Sequence, residues 1–213
     1  MSVRLAKASD LAATAHIAFR GFSLSPWNAF YRPFAASFPQ DVEKSYLREQ
    51  QEALSNPKKL FAVVESEPDA EVVGFAIWNY APQQKRENEA IIVDLVDEQD
   101  RSVDPYRANL LFSATDSAVE KCFKGHMELD NMAVDPDHFR KGYGTLLCKH
   151  GMKIAEEDNV PVGVIAAALG MKLYEALGYT CAAKIGITDE RPDKQASVDF
   201  WVQKWDPLNG TAE

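Results

Sequence analysis

The sequence of 213 residues has few of the features that mark a membrane, secreted or metal-dependent protein. Crossing a bilayer takes about 18 apolar residues in a row, and no such run occurs. The opening MSVRLAKASD has no apolar segment of the kind that a signal peptide carries. The three cysteines, Cys122, Cys148 and Cys181, are far apart, which disfavours both a disulfide framework and a zinc site. We therefore expect a cytoplasmic protein without a metal.

Positive charge is also scarce, because 23 lysines and arginines stand against 32 aspartates and glutamates, for a formal net charge of −9. An acidic chain is poorly suited to nucleic acid or to an anionic membrane, and it attracts cationic small molecules. Acidic totals also serve solubility alone, so charge favours a partner without deciding it. From composition we expect no nucleic-acid partner and no membrane partner.

The most informative stretch is 126–151, which has the pattern of a strand, a proline-containing turn, a glycine loop and a helix. Gly142 and Gly144 stand where the helix begins. The first N–H groups of a helix have no partner within it, and the helix dipole favours negative charge there. Arg140 and Lys141 add cationic side chains beside the glycines. This pattern predicts a site for a phosphate or pyrophosphate.

A glycine-x-glycine loop is a weak signal by itself, and two standard phosphate-loop motifs are missing. The loop and the Met-Ala-Val run at 132–134 nevertheless resemble the GNAT superfamily of acetyl-CoA-dependent N-acetyltransferases. The cofactor motif of that superfamily is Gln/Arg-x-x-Gly-x-Gly/Ala, after a strand that ends in hydrophobic-Ala-Val. Phe139 stands in the slot for Gln or Arg, and Arg140 is the neighbouring substitute for that side-chain contact.

A second stretch strengthens the resemblance. Residues 170–179 are similar to the GNAT signature G-x-x-L-Y-x-x-L-G-F, with Tyr179 at the position of the final phenylalanine. The strand at 73–78 (Val-Gly-Phe-Ala-Ile-Trp) and the order of predicted elements also match the family. A helical insertion before the central strand resembles a group of fungal GNAT proteins whose substrates are largely unassigned.

The predicted elements run β, two helices, a β-hairpin, an insertion, β, helix, β, helix, β, β. This order predicts an α/β (α+β) fold, and the resemblance implies a GNAT-like mixed, splayed central sheet with helices on both faces. We predict one N-acetyltransferase domain over residues 1–205, with a helical insertion at 81–125 and a C-terminal tail at 206–213.

The resemblance implies that acetyl-CoA binds at the end of the central strand and at the glycine loop, and that CoA is the product. The implied cofactor-binding residues are Met132, Ala133, Val134, Phe139, Arg140, Lys141, Gly142, Tyr143, Gly144 and Thr145. The backbone of Met132 and Val134 would lie beside the pantetheine arm, where the sheet splays.

Three residues are candidates for catalysis. By resemblance Tyr174 is the acid that protonates the departing thiolate, although a tyrosine packed in the core is the alternative. Glu128 and Asp130 are two apart in a strand, so both carboxylates face one side and either is a candidate base. Alternatively, both are merely solvated at a wet strand end, and an ordered water replaces them.

An aromatic cluster before the second long helix holds the candidate substrate-binding residues Trp27, Phe30 and Tyr31, with ordinary packing as the alternative. The function we predict is direct transfer of acetyl from acetyl-CoA to a primary amine of a small molecule, in a ternary complex. One alternative is acetylation of a protein lysine or N-terminus. Another is a non-catalytic acyl-CoA-binding module. The protein is expected to be a monomer or homodimer.

Overall fold

The computed structural model describes residues 2–92 and 99–208. Seven strands form one sheet in the order β1-β2-β3-β4-β5-β7-β6. The strands are β1 (Ser2–Leu5), β2 (Lys59–Glu65), β3 (Val72–Asn79), β4 (Met127–Val134), β5 (Val162–Ala166), β6 (Thr180–Asp189) and β7 (Ala196–Trp205). Neighbouring strands are antiparallel except β4 and β5, which are parallel. The mixed sheet expected from the sequence is confirmed.

Six α-helices surround the sheet: α1 (Leu11–Phe22), α2 (Pro26–Tyr31), α3 (Pro39–Leu54), α4 (Pro105–Cys122), α5 (Tyr143–Glu157) and α6 (Met171–Ala176). Proline begins α2, α3 and α4, at the position where a missing N–H has no cost. The sequence predicts that the helix of α3 begins at Asp41. In the structure α3 begins at Pro39, because proline suits the first turn. Asp104 caps α4 by accepting from the backbone N–H groups of Tyr106 and Arg107.

Alternate residues of β3 show that helices cover both faces. Ala76 and Trp78 lie in a core cluster with α5, while Phe75 and Ile77 lie in a second cluster with α1 and α3. A third cluster packs α2 and α4 against β5, β6 and β7 on the α1 side of the sheet. The approach of α5 is close because Gly151 faces Trp78, and an added Cβ would lie 2.3 Å from the indole.

The sheet opens between its two parallel strands. Only three residue pairs join β4 to β5, and the last is Leu129 with Val164. Beyond them β4 continues with β3 as far as Val134, and β5 continues with β7 as far as Ala166. The two strands therefore separate, leaving backbone groups of β4 without ladder partners. A β-bulge in β4 lies at the same level and leaves Asp130 outside the register with β3.

Three boundaries differ from the sequence prediction. Helix α6 is shorter than the predicted 167–177, because residues 167–170 form a turn instead. Strand β5 begins two residues after the predicted Val160, since Pro161 has no N–H for a ladder. Strand β6 continues three residues beyond Gly186 in its pairing with β7.

Residues 93–98 of the predicted insertion and 209–213 of the predicted tail lie outside the described residues. Within the part of the chain that the structure describes, no helix has the length and apolarity needed to cross a membrane.

Candidate active site

The glycine loop joins the separated end of β4 to α5. Gly142 is the N-cap of α5 with φ +88°, and Arg140 is also left-handed with φ +63°. Glycine adopts such angles without strain, whereas a non-glycine residue in this region is uncommon and concentrates at functional sites. An added Cβ at Gly142 would meet no atom within 4 Å, so the space in front of the loop is open.

The amide groups of this loop form a potential anion-binding site. Leu146 donates the first helical hydrogen bond, to the carbonyl of Gly142. Within 2–92 and 99–208, the N–H groups of residues 141–145 donate to no protein acceptor. Arg140 and Lys141 are exposed, and neither forms an ion pair with another described residue. Unpaired amides, a helix N-terminus and two cations together suit a phosphate group.

An ion pair from α1 holds the turn between β4 and this loop. Arg20 donates to both carboxylate oxygens of Asp135, at 2.9 and 2.7 Å, and to Asp137 at 2.9 Å. The backbone N–H of Asp135 also donates to the carbonyl of Val73 on β3. The end of β4 is thus fixed from two elements, which sets the direction in which the loop leaves the sheet.

The predicted acid, Tyr174, lies inside the core beneath α5. Its ring centroid lies 5.5 Å from that of Tyr179, and no other described group forms a hydrogen bond with its hydroxyl. Burial, with a smaller contribution from the Cys148 thiol, raises the pKa of Tyr174 well above its usual value. The Cys148 sulfur lies 3.6 Å from the Met132 sulfur on β4, so this region borders the opening in the sheet.

The candidate bases lie on the opposite face of β4. Asn79 donates to Glu128 at 3.0 Å, and Lys59 forms a 2.6 Å ion pair with Asp130. Lys59 and Asn79 face each other across β2 and β3, so the two carboxylates contact one side of the sheet. The sequence did not predict the bulge at Asp130, but the two carboxylates still face one side, as residues two apart in a strand do.

The environments of the two carboxylates differ. Burial is the main cause that raises the pKa of Glu128, with Asp130 adding to it and Asn79 and Lys59 opposing it. Asp130 is exposed and neutralised by Lys59. A general base works best with a pKa raised toward the working pH, so Glu128 is better suited than Asp130.

Sequence reasoning missed two further carboxylates near this pair. Asp116 on α4 adds to the raised pKa of Glu128, although its effect is the smallest. Loss of water around the carboxyl group raises the pKa of Glu49 on α3 to about 7, although the residue retains exposed surface, and Asp130 contributes. Acidic side chains from two helices therefore lie within electrostatic range of β4. No sequence spacing joins them, so only the fold reveals this acidic cluster of Glu49, Asp116, Glu128 and Asp130.

The aromatic residues of α2 lie mainly in the core. Phe30 and Tyr31 are buried in the third core cluster. Trp27 is half-buried, packs edge-on against Phe200 and donates its indole N–H to the carbonyl of Asp199. These contacts account for the three rings as packing, and their part in substrate binding stays a prediction.

One cavity among the described residues lies away from this site. It has a volume of about 730 Å³ and lies at the start of β4 and β5, against His126 and Pro161. The candidate residues lie further along β4, at the opening, so we base the site on their geometry. No group of side chains in the described ranges suits a metal ion.

Comparison with known proteins agrees with the fold. Residues 27–179 match the model of the Acetyltransferase (GNAT) family, and the chain belongs to this family. A protein from the fungus Stachybotrys chartarum named "Acetyltransferase" is 27% identical over 194 residues, covering 89% of this chain and 84% of that protein.

Solved structures resemble this chain in fold at low identity. A mosquito arylalkylamine N-acetyltransferase-like protein has a TM-score of 0.59 and 14% identity, and the match covers 96% of this chain and 99% of that one. An N-acetyltransferase from Thermoplasma acidophilum, solved in complex with coenzyme A, has a TM-score of 0.52 and 14% identity. The match covers 97% of this chain and 99% of that one.

Proposed function

We propose that the protein transfers the acetyl group of acetyl-CoA to a primary amine of a small molecule, directly and in a ternary complex. One observation carries this proposal: an anion-binding loop and a pair of carboxylates lie on the two faces of one strand, where the sheet opens. Acyl transfer to an amine needs a held donor on one side and a base on the other.

The residues present fit the CoA part of this donor. The unpaired amides of 141–145, with Arg140 and Lys141, would hold the pyrophosphate, and the open space at Gly142 leaves room for it. Unpaired backbone groups at 132–134 would bond the pantetheine amides. When bound, acetyl-CoA supplies an acetyl group activated as a thioester.

Each catalytic role follows from the local environment. Glu128 accepts a proton from the ammonium form of the acceptor, directly or through water, and its raised pKa suits that task. Tyr174 donates a hydrogen bond or proton to the sulfur. The buried Cys148 is not a nucleophile, because burial raises the pKa of its thiol to about 12 and keeps it protonated at neutral pH. Direct transfer is therefore favoured over a cysteine-bound intermediate.

The acceptor side favours a small cationic amine. The segment 99–104, which leads into α4, is fastened to α2 and α3. Arg32 is buried and donates to Asp100 and Ser102, and the backbone N–H of Asp104 donates to the carbonyl of Tyr31. This fastening holds the start of α4 in place. The four carboxylates near β4, Glu49, Asp116, Glu128 and Asp130, suit a cationic acceptor.

A panel of amines tested with acetyl-CoA and a thiol reagent measures this function directly. We expect CoA release with compact primary amines and little with lysine-containing peptides of matched charge. Faster turnover of the peptides would favour the protein or N-terminal acetyltransferase. CoA binding by calorimetry without turnover of any amine or peptide would favour the non-catalytic acyl-CoA-binding module.

A further inference from the structure

Tyr174 is not the only buried tyrosine here without a hydrogen-bond partner among the described residues, because the hydroxyl of Tyr179 is also unpartnered and is fully shielded from solvent. Tyr179 is 4% exposed, and its hydroxyl oxygen forms no hydrogen bond with any described group. Burying a hydroxyl without a partner is unfavourable, by an amount comparable to a lost hydrogen bond. The G-x-x-L-Y-x-x-L-G-F signature has phenylalanine at this position, so the ring alone satisfies the packing. The extra oxygen therefore lowers the stability of the free protein without a structural return.

The position of this hydroxyl gives it a role. The turn at Gly178, with φ +84°, brings Tyr179 back against α6, and its N–H donates to the carbonyl of Tyr174 at 3.0 Å. The two rings are 5.5 Å apart and tilted by 53°. Tyr179 is thus the nearest aromatic neighbour of the candidate acid.

Among the described residues, no charged side chain acts on the two phenols: Cys148 on α5 and Tyr174 on α6 act on Tyr179, and Cys148 acts on Tyr174. Burial raises the pKa of both phenols well above the usual value. A negative charge on the Tyr174 oxygen would therefore need a hydrogen-bond donor, and the neighbouring ring of Tyr179 carries an unused one.

We propose that Tyr179 is a positioning residue, whose hydroxyl donates a hydrogen bond to the Tyr174 oxygen as that oxygen becomes negative. The inference rests on the proposed function. In this step the O–H bond of Tyr174 breaks, an S–H bond forms on the CoA sulfur, and the charge moves to the Tyr174 oxygen. Water then returns a proton to Tyr174. The Tyr179 hydroxyl is never consumed, and it stabilises the charged oxygen.

Tyr179→Phe tests the proposal and restores the residue of the family signature. The first measurement is the pKa of the thiol of bound CoA. The thiolate absorbance is recorded as a function of pH, and no acceptor is needed. We expect Tyr174→Phe to raise that pKa, and Tyr179→Phe to raise it less and in the same direction. With an amine substrate, kcat should fall about tenfold for Tyr179→Phe at unchanged KM for acetyl-CoA. In the Tyr174→Phe background the second change should have no further effect.

Tyr46→Phe is the matched control, because it removes a buried hydroxyl that is bonded to Asn28 at 2.8 Å on the other face of the sheet. It should lower the melting temperature and leave the bound thiol unchanged, whereas Tyr179→Phe should not lower the melting temperature. If Tyr179→Phe has the thiol pKa and kcat of the wild type while Tyr174→Phe changes both, the role of Tyr179 is overturned and the proposed function is not. Absence of CoA binding in the wild-type protein would overturn the proposed function and this inference with it.

Discussion

The candidate site uses backbone groups on one face of β4 and side chains on the other. On the α5 face the site consists mainly of backbone: amides of 141–145, the left-handed Gly142 and the unpaired edge of the strand. On the α3 face it consists of side chains from several elements, with Glu128 and Asp130 held by Asn79 and Lys59. Backbone groups can bind a constant feature such as a diphosphate. Side chains can differ in charge and size, so we expect specificity for the acceptor to depend on the second face.

This contrast predicts where substitutions act. Changes to the glycine loop on the α5 face should weaken CoA binding, and changes on the α3 face should alter turnover or the KM of the amine. Tyr174 is the exception, because it is a side chain on the α5 face that should affect turnover without affecting CoA affinity. Four variants test the division, from the largest expected effect to the smallest.

Glu128→Gln should reduce kcat/KM at neutral pH by about 10²–10⁴-fold, the usual size of a general-base contribution. The base works only when deprotonated, and the pKa of Glu128 is raised. Wild-type kcat/KM should therefore fall as pH falls through that raised pKa, and the variant should lack this acid limb. Asp130→Asn is the control, because it removes only a partly exposed ion pair with Lys59. Equal rates in Glu128→Gln and the wild type would assign deprotonation to water or to the substrate.

Tyr174→Phe should lower kcat by about 10²-fold, with CoA affinity and melting temperature near those of the wild type. The phenylalanine keeps the ring that packs in the core, so its stability should not fall. The free thiol of CoA has a pKa of about 8.5, which makes its thiolate a fair leaving group and sets the effect at the low end. A variant that is less stable but turns over normally would make Tyr174 a packing residue.

Gly144→Asp should weaken CoA binding more than tenfold, or about 1.4 kcal/mol, when measured by calorimetry. The carboxylate repels phosphates at the helix start, and the added Cβ would lie 3.2 Å from Leu173 on α6. Gly144→Ala separates these causes, because it adds the Cβ without the charge. Unchanged CoA binding in a folded Gly144→Asp protein would remove the basis for the anion site.

Arg107→Met should act least, and on the acceptor alone. Arg107 links α4 to the fully buried Asp189 on β6 at 2.8 Å. Its loss should loosen α4, which carries Asp116 of the acidic cluster near Glu128. We expect a several-fold rise in the KM of the amine, a lower melting temperature and an unchanged affinity for CoA. Lys184→Met is the matched control, since it breaks an exposed pair with Asp199. Weaker CoA binding in Arg107→Met would break the division between the two faces.

The same contrast explains how much the sequence predicts. The loop and strand of the α5 face lie within one contiguous stretch of sequence, in which the strand pattern, the turn and the glycines occur in order. The element types predicted from this stretch therefore agree with the structure. A glycine inside a strand pattern often marks a close backbone approach. Gly74 is such a case, because an added Cβ would lie 3.1 Å from the carbonyl of Ala133 on β4.

The acceptor face depends on contacts between distant residues. Nothing in the sequence around Glu128 indicates that Asn79 bonds it or that Asp116 faces it. The bulge at Asp130 also has no local signal, because neither glycine nor proline stands there. The spacing of the two carboxylates suggests a shared side, but only the partners across β2 and β3 distinguish a paired aspartate from a candidate base.

The few residue pairs between β4 and β5 also bear on how the chain folds. Strands β1 to β4 come from the first 134 residues and strands β5 to β7 from residues 162–205, so each half of the sheet can close its own hydrogen bonds. Three residue pairs and the helices packed across them join the halves. A chain with both halves formed but not yet docked would have a nearly native content of secondary structure and no opening to bind a substrate. Ligand binding should therefore be the last native property to return during refolding, after circular dichroism has already recovered.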